Sequence, residues 1–204
     1  MIRTAGVVLC GGEASRMGRP KAWLPFGNEL LLPRIVRLLS EAVSPVVVVA
    51  AAGQAVPPLP AGVEIARDAD PGRGPLAGLC AGLAALRGRA DAVYLSSCDV
   101  PFLRPEFVRR LVDLLGEHAI CVPETGGTRH PLAAVYRVEV ADVAERLLAG
   151  RRAGPVRLFD EVPTRLVTAD ELADVDAALE SLRDLNTPAE YEAALRDSFA
   201  GEDR

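Results

Sequence analysis

Apolar or β-branched runs of strand length alternate with helical patterns along the whole chain. The strand-like runs lie at 4–10, 44–51, 63–67, 91–97, 119–123, 131–137 and 163–168. The helical patterns lie at 32–43, 74–88, 104–116, near 139–149 and from 188 onward. Alternation of this kind predicts a mostly parallel sheet covered by helices on both faces.

The length of the chain bounds the number of domains. Its 204 residues, half of them hydrophobic, suffice for one sizeable core and are few for two independent ones. No internal repeat, linker or low-complexity tract interrupts the sequence. We therefore expect a single domain spanning 1–204.

Two stretches of unusual chemistry, 9–21 and 96–101, each follow an apolar strand. Ligands of open α/β sheets bind outside the carboxyl ends of the strands. One crevice at that edge is therefore expected to hold both stretches.

The first stretch is a glycine-containing loop, LCGGEASRMGRPK. Gly11 and Gly12 let the backbone approach a ligand closely and turn its amides toward phosphate oxygens, and Arg16 and Lys21 add positive charge. The spacing is neither GxGxxG nor the P-loop pattern. A glycine pair after a strand also fits a simple turn, so this feature alone leaves both interpretations open.

Lys21 distinguishes the loop from an ordinary turn. Of the 23 basic residues, every one except Lys21 is arginine. An ammonium is a compact point charge, whereas a guanidinium is a wide planar fork that cannot take its place between two phosphate groups. The isolated lysine thus predicts a phosphate-binding role at this position.

The second stretch, LSSCDVPFL, places Asp99 just beyond a buried strand. A carboxylate at the crevice suits Mg²⁺, which usually takes one or two carboxylates and completes its shell with water and substrate phosphates. The alternative is that Asp99 is a turn or helix-capping residue. The nearby glycine and lysine loop favours the metal ligand.

Five motifs in this order resemble one family. They are LCGGEASRMGRPK, RDADPGRGPLAG, CDVPFL, RHPLAAVY and LNTPAEY. Together they are similar to the motifs of the molybdenum cofactor guanylyltransferases (MobA family). The resemblance implies a three-layer α/β/α fold with a Rossmann-like, mostly parallel mixed sheet of the nucleotide-diphospho-sugar transferase type.

The resemblance also implies roles for particular residues. The residues it assigns to the nucleotide are Leu9, Cys10, Gly11, Gly12, Lys21, Asp68 and Gly78. It makes Asp99 the Mg²⁺ ligand and places Asn186 near the metal and the pterin. Lys21, Asp99 and Arg16 form the expected catalytic set. The chain departs from the family pattern at Cys10, usually alanine, at Asp184, often asparagine, and in the loop AAAGQ, which lacks an asparagine that some members use on the nucleotide.

The implied reaction joins GTP to molybdopterin. The terminal phosphate of molybdopterin attacks the α-phosphorus of GTP, and pyrophosphate leaves. Mg²⁺ on Asp99 would bridge phosphates, while Lys21 and the loop amides would stabilise the departing pyrophosphate. A phosphate monoester is already ionised at neutral pH, so no general base is required. His130 either shapes the acceptor pocket or sits in a turn before Pro131.

Two other classes of function fit the same loop and aspartate. A related transferase could use CTP or another NTP, with molybdopterin, a sugar phosphate or an isoprenoid precursor as the acceptor. A nucleotide-binding regulator without catalysis is the second alternative. The presence of both Lys21 and Asp99 argues against a regulator.

Composition indicates which partners and which cellular compartment to expect. A net charge of -5 without a basic stripe argues against nucleic acid as a partner. No apolar stretch approaches the roughly 20 residues that span a bilayer, so no membrane association is expected. Four cysteines without a CxxC pair are typical of reduced thiols in the cytoplasm. Transient contacts with other cofactor-biosynthesis proteins or with apo-molybdoenzymes are also expected.

Overall fold

The structure, a computed structural model, describes residues 2–11, 19–70, 72–150 and 154–202. The strands in this part of the chain are β1 (Thr4–Leu9), β2 (Pro25–Phe26), β3 (Glu29–Leu30), β4 (Val46–Ala51), β5 (Glu64–Asp68), β6 (Ala92–Ser97), β7 (Ile120–Thr125), β8 (Thr128–Arg129), β9 (Ala133–Arg137) and β10 (Thr164–Val167). The α-helices are α1 (Leu31–Ser40), α2 (Pro75–Ala85), α3 (Pro105–Leu114), α4 (Ala141–Ala149), α5 (Leu158–Glu161), α6 (Ala173–Asp176) and α7 (Pro188–Glu202).

The main sheet has eight strands, of which seven follow the order β10-β7-β9-β6-β1-β4-β5, and β8 pairs with β7. β1, β4, β5 and β6 are parallel neighbours. β9 runs antiparallel between β6 and β7, and β10 is parallel to β7. The structure thus confirms the predicted mostly parallel, mixed sheet.

Helices cover both faces of this sheet because successive strand residues point to opposite sides. Val8 and Val48 belong to a core cluster that includes Ile35 of α1 and Phe107 of α3. The intervening valines of β1 and β4 belong to a second cluster with residues of α2 and α4. Burial on both faces explains why these strands are continuous apolar runs, and it confirms the three-layer arrangement.

Helix α2 packs very closely on β1. A Cβ at Gly82 would lie 2.6 Å from Cγ1 of Val7, and one at Gly78 would lie 2.9 Å from Cδ2 of Leu9. Only glycine fits at such distances without a shift of the neighbours. The small residues of GPLAGLCAGL thus hold α2 against the strand that leads into the glycine loop.

Several short elements were not expected from the sequence. They are the β2–β3 hairpin, β8, α5 and α6. The strand expected at 131–137 begins at Ala133, because the amide of Ala133 donates to the carbonyl of His130 in a turn. Within the described ranges, no helix has both the length and the apolarity that crossing a membrane requires.

Candidate functional site

The carboxyl ends of four parallel strands meet at one edge of the sheet. Leu9 pairs with Ser97 of β6 and with Val49 of β4, and Ala51 pairs with Asp68 of β5. The end of β1 and the segment that carries Asp99 are therefore neighbours, as the two motifs predicted. Gly12 and Arg16 belong to 12–18, which lie outside the described residues.

Hydrogen bonds continue the sheet into the start of the loop. The amide of Cys10 donates to the carbonyl of Val49 at 2.9 Å, and the amide of Cys98 donates to the carbonyl of Leu9 at 3.1 Å. Among the described residues other than its chain neighbours, the nearest atoms to a Cβ on Gly11 would be the amide nitrogen of Ala51 and Oε1 of Gln54, both at 3.9 Å. The backbone of Leu9–Gly11 is thus anchored on both sides just before the loop opens.

Gln54 is a further anchor that sequence analysis missed. Its side chain accepts a hydrogen bond from the amide of Ala51 at 3.0 Å and donates to the carbonyl of Cys10 at 2.8 Å. Its amide thus bridges the ends of β4 and β1. Gln54 lies in the loop AAAGQ that follows β4, and its place after a buried strand was the available signal.

Lys21 lies in a short 3₁₀ turn, Lys21–Trp23, that follows the loop. Its ammonium donates to Oδ2 of Asp99 at 2.6 Å and to Oδ1 of Asn186 at 2.8 Å. The side chains of Lys21 and Asp99 are 25% and 12% exposed, so the pair is partly shielded from water. The structure therefore brings together three of the residues singled out from the sequence.

Asp99 is held from several directions. Ser97 donates its hydroxyl to Oδ1 of Asp99, while Lys21 occupies Oδ2. The backbone carbonyl of Asp99 accepts the amide of Leu185 at 3.0 Å. Ser97 was also missed by sequence analysis, although a hydroxyl two residues before a functional carboxylate was visible in SSCD.

Asp184 sets the orientation of the Asn186 amide. The Nδ2 group of Asn186 donates to Oδ2 of Asp184 at 2.8 Å. A carboxylate only accepts hydrogen bonds, so the NH₂ group must face Asp184 and the amide oxygen faces Lys21. The aspartate that departs from the family pattern is thus compatible with the arrangement of the site.

The segment around Asn186 is a helix start. Thr187 accepts the amide of Glu190 through Oγ1 at 3.2 Å, and Glu190 accepts the amides of Thr187 and Asn186 at 2.9 and 2.7 Å. This reciprocal pattern is a capping box, with Pro188 in the first helical position of α7. The two backbone amides lower the pKa of Glu190 below its usual value. The N-T-P motif therefore fixes Asn186 at the beginning of α7.

Asp68 and Gly78 lie elsewhere along the same edge. Asp68 ends β5 and accepts the amide of Asp70 at 2.9 Å; β4 separates β5 from β1. Gly78 faces the side chain of Leu9, as described above, so close packing already explains its lack of a side chain. For both residues, nucleotide binding stays a prediction.

His130 sits in the turn before β9, as one of the two interpretations expected. Its Nε2 lies 2.7 Å from Oγ1 of Thr125, and its amide donates to the carbonyl of Pro123. Burial lowers the pKa of His130, and the negative charge of Asp184 opposes this shift. The neutral imidazole is therefore favoured.

The oxygen atoms around Lys21 fit a hard divalent cation. No group of three or more His, Cys, Asp or Glu side chains suited to a metal occurs in the portion of the chain that the structure covers. Asp99 supplies one carboxylate, and Asn186 and Ser97 supply neutral oxygens beside it. Mg²⁺ binds through one or two carboxylates together with substrate phosphates, so this donor set suits Mg²⁺ delivered with a nucleotide.

The two cysteines beside the site are protonated thiols at neutral pH. Burial raises the pKa of Cys10 to about 11 and also raises the pKa of Cys98. Both are free thiols, and only a thiolate ligates metal well. Both side chains pack in the core cluster that contains Val8 and Val48.

Comparison with known proteins gives consistent similarities. The family described as MobA-like NTP transferase domain matches residues 6–165. A protein of Carboxydothermus hydrogenoformans named probable molybdenum cofactor guanylyltransferase is 32% identical over 190 residues, 93% of each chain. A protein of the same name from Mycobacterium tuberculosis is 39% identical over 181 residues, 85% of this chain and 89% of its own.

A solved structure shares the fold. It is the molybdopterin-guanine dinucleotide biosynthesis protein A of Archaeoglobus fulgidus, with a TM-score of 0.79 and 21% identity. The match covers 96% of this chain and 99% of that one.

Proposed function

The chain belongs to the MobA-like NTP transferase family, and from this premise we propose that it is a molybdenum cofactor guanylyltransferase. It transfers GMP from GTP to the terminal phosphate of molybdopterin, with or without bound molybdenum, releases pyrophosphate and forms molybdopterin guanine dinucleotide. Relatives of that name, 32–39% identical over most of both chains, support this activity.

One observation carries the proposal at the level of the site. Lys21, Asp99 and Asn186 converge within hydrogen-bonding distance at the carboxyl edge of the sheet. A cation, a carboxylate and an amide oxygen are the groups needed to bind a triphosphate and its metal. They converge next to the segment Leu9–Gly11 and the glycine loop that it opens.

The reaction needs positioning and charge stabilisation more than covalent help from the protein. The attacking phosphate of molybdopterin is ionised at neutral pH, so no residue has to remove a proton from it. The protein must align the acceptor phosphate with the α-phosphorus and stabilise the negative charge that grows on the leaving pyrophosphate. Lys21, the amide of Gly11 and, in the loop, Gly12 and Arg16 are proposed to do so.

Mg²⁺ is part of the proposal, with Asp99 as its ligand. When bound, Mg²⁺ would neutralise phosphate charge and act as a Lewis acid. Asn186 presents its oxygen beside Asp99 because Asp184 holds the opposite side of the amide. The geometry of Asp99, Asn186 and Ser97 supports this role.

The remaining roles follow the order of strands along the edge. Asp68, on the β5 side of β1, is proposed to contact the nucleoside part of GTP. His130, in the turn before β9, and Asp184, which holds the amide of Asn186, are proposed to bound the acceptor pocket on the other side of Asp99. The acceptor and nucleotide would then meet at Lys21 and Asp99.

The setting of the reaction is also proposed. The sequence argument for the cytoplasm is that four cysteines in apolar surroundings suit a reducing compartment. In transient contacts, cofactor-biosynthesis proteins would deliver the pterin substrate and apo-molybdoenzymes would receive the product.

The function is tested with purified protein, Mg²⁺, molybdopterin and each of the four NTPs in separate reactions. GTP should give pyrophosphate together with a product of the mass of molybdopterin guanine dinucleotide, and omission of molybdopterin should abolish both. Asp99→Asn should lose most turnover, whereas Asp113→Asn on the exposed side of α3 should keep it. A clear preference for CTP would move the protein to the cytidylyl transferases and refute the guanylyl assignment.

A further inference from the structure

The ammonium of Lys21 is hydrogen-bonded to the same oxygen atoms that would bind a metal ion. It lies 2.6 Å from Oδ2 of Asp99 and 2.8 Å from Oδ1 of Asn186. Both distances are those of strong, charge-assisted hydrogen bonds. A divalent cation cannot bind the same carboxylate oxygen while the ammonium remains there.

The oxygen atoms are fixed, whereas the cation is tethered by a flexible stem. Asp99 is held by the hydroxyl of Ser97 and by its backbone bond to Leu185. Asn186 is held by Asp184 through its side chain and by Glu190 through its backbone. Lysine carries its charge on four methylene groups with freely rotating bonds, so it is the component of this cluster that can move.

We propose that Lys21 holds the metal position of the nucleotide-free protein, so that the divalent cation enters together with the nucleotide. The phosphates of the nucleotide offer Lys21 new anionic partners and draw its ammonium away from Asp99. The carboxylate is then free for the metal that accompanies those phosphates. The identity of the nucleotide rests on the proposed function, but the exchange of cations at Asp99 does not.

The charges of the cluster favour this exchange. With Lys21 in place, the charge of Asp99 is balanced within a partly buried pair. A metal ion that arrived alone would have to break that pair and would then lie close to a displaced ammonium. When the metal ion arrives with a triphosphate, the phosphates give the displaced ammonium new anionic partners and neutralise both cations, which offsets both costs. Metal and nucleotide should therefore bind with positive coupling.

The direct test measures Mn²⁺ binding to the nucleotide-free protein by the electron paramagnetic resonance signal of free Mn²⁺. Wild-type protein should bind weakly, and Lys21→Met should bind about tenfold more tightly or better, since it no longer has a charge-assisted bond to break. The double variant Lys21→Met with Asp99→Asn is the matched control and should not show this increase in affinity for Mn²⁺. Lys21→Gln serves in the same way if the methionine variant does not fold.

A second measurement uses wild-type protein alone. Water proton relaxation should report little protein-bound Mn²⁺ without nucleotide and a clear increase when GTP is added. CTP can replace GTP in this arm, so an error in the base assignment does not affect it.

Two results would overturn the proposal. One is wild-type protein that binds Mn²⁺ without nucleotide as tightly as Lys21→Met does. The other is a folded Lys21→Met or Lys21→Gln protein that gains no affinity for Mn²⁺. Neither result depends on which acceptor or base the enzyme uses, whereas failure of the proposed function would appear in the product assay.

Discussion

At the residue scale, the proposed role of Lys21 depends on the compact form of its ammonium group. Lys21 is the single lysine in the sequence, and its ammonium lies between Asp99 and Asn186. A guanidinium is planar and its donors point in fixed directions, so it cannot reproduce the two hydrogen bonds that one ammonium nitrogen makes at 2.6 and 2.8 Å. We propose that this chemical difference is the reason for the single lysine in an arginine-rich chain.

Lys21→Arg should therefore impair catalysis almost as severely as Lys21→Ala. A misplaced charge still attracts the triphosphate but does not meet the charge on the leaving pyrophosphate, which costs on the order of 10²-fold in kcat. Steady-state kinetics measure this effect, with circular dichroism to verify folding. Arg87→Lys, an exchange at an exposed position in the turn after α2, is the control and should keep normal turnover. An arginine variant with wild-type kcat would show that the lysine has no special role.

At the element scale, α2 and α7 position the site in different ways. Glycines at 78 and 82 let α2 approach β1 closely enough to support the strand that leads into the loop. The capping box of Thr187 and Glu190 starts α7 directly after Asn186. Leu185, just before it, is buried with Leu24. The start of one helix and the close packing of another thus set the positions of two segments of the candidate site.

Gly82→Ala should destabilise the fold by about 1–3 kcal/mol, because the added methyl would overlap the Val7 side chain. Gly150→Ala is the matched control. Gly150 has a φ of -73° and ordinary contacts for an added Cβ, so this change should be neutral or stabilise by up to about 1 kcal/mol. Urea unfolding of both variants measures the difference. Equal stability of the two variants would contradict the close packing of α2 on β1.

At the scale of the whole molecule, ion pairs join segments that are distant in sequence. Arg3 precedes β1 and Asp91 precedes β6, and they pair at 2.7 Å at the edge of the sheet opposite to the site. The backbone amide of Arg3 also donates to Asp91 at 2.9 Å. The guanidinium and amide of Arg3 hold the pKa of Asp91 at about 2, below the usual 3.8. The pair thus links the starts of the two central strands.

The lowered pKa of Asp91 predicts a pH dependence of stability. A carboxyl whose pKa is lower in the folded state stabilises the fold above its unfolded pKa, and this contribution is lost as the pH falls through the folded value. Wild-type protein should lose stability between about pH 4 and pH 2, and Asp91→Asn should lose less over the same window. Urea unfolding at several pH values measures this, and high salt should reduce the difference because the pair is exposed. Identical pH profiles at low salt would contradict the prediction.

The sequence by itself determined the class of fold and the segments of the site. The alternation of apolar runs and helical patterns predicted the parallel sheet, and the position of Asp99 after a buried run predicted its place at the carboxyl edge. Such patterns are local, because each depends on the polarity and backbone preference of a few consecutive residues. The short β2–β3 hairpin and the helices α5 and α6 escaped prediction because each is too short to show a period. That residues 1–204 form a single domain stays a prediction.

Only the tertiary structure decided how the functional groups meet. Lys21 and Asp99 are 78 positions apart, and Asn186 is 165 positions from Lys21, so no local pattern relates them. Their contact depends on the order of strands, including the antiparallel insertion of β9 beside β6, and on the return of α7 toward β2. The clamp of Gln54 on Cys10 likewise exists only because β4 lies beside β1. A sequence reports which groups are available, whereas the distances between them follow from how the whole chain packs.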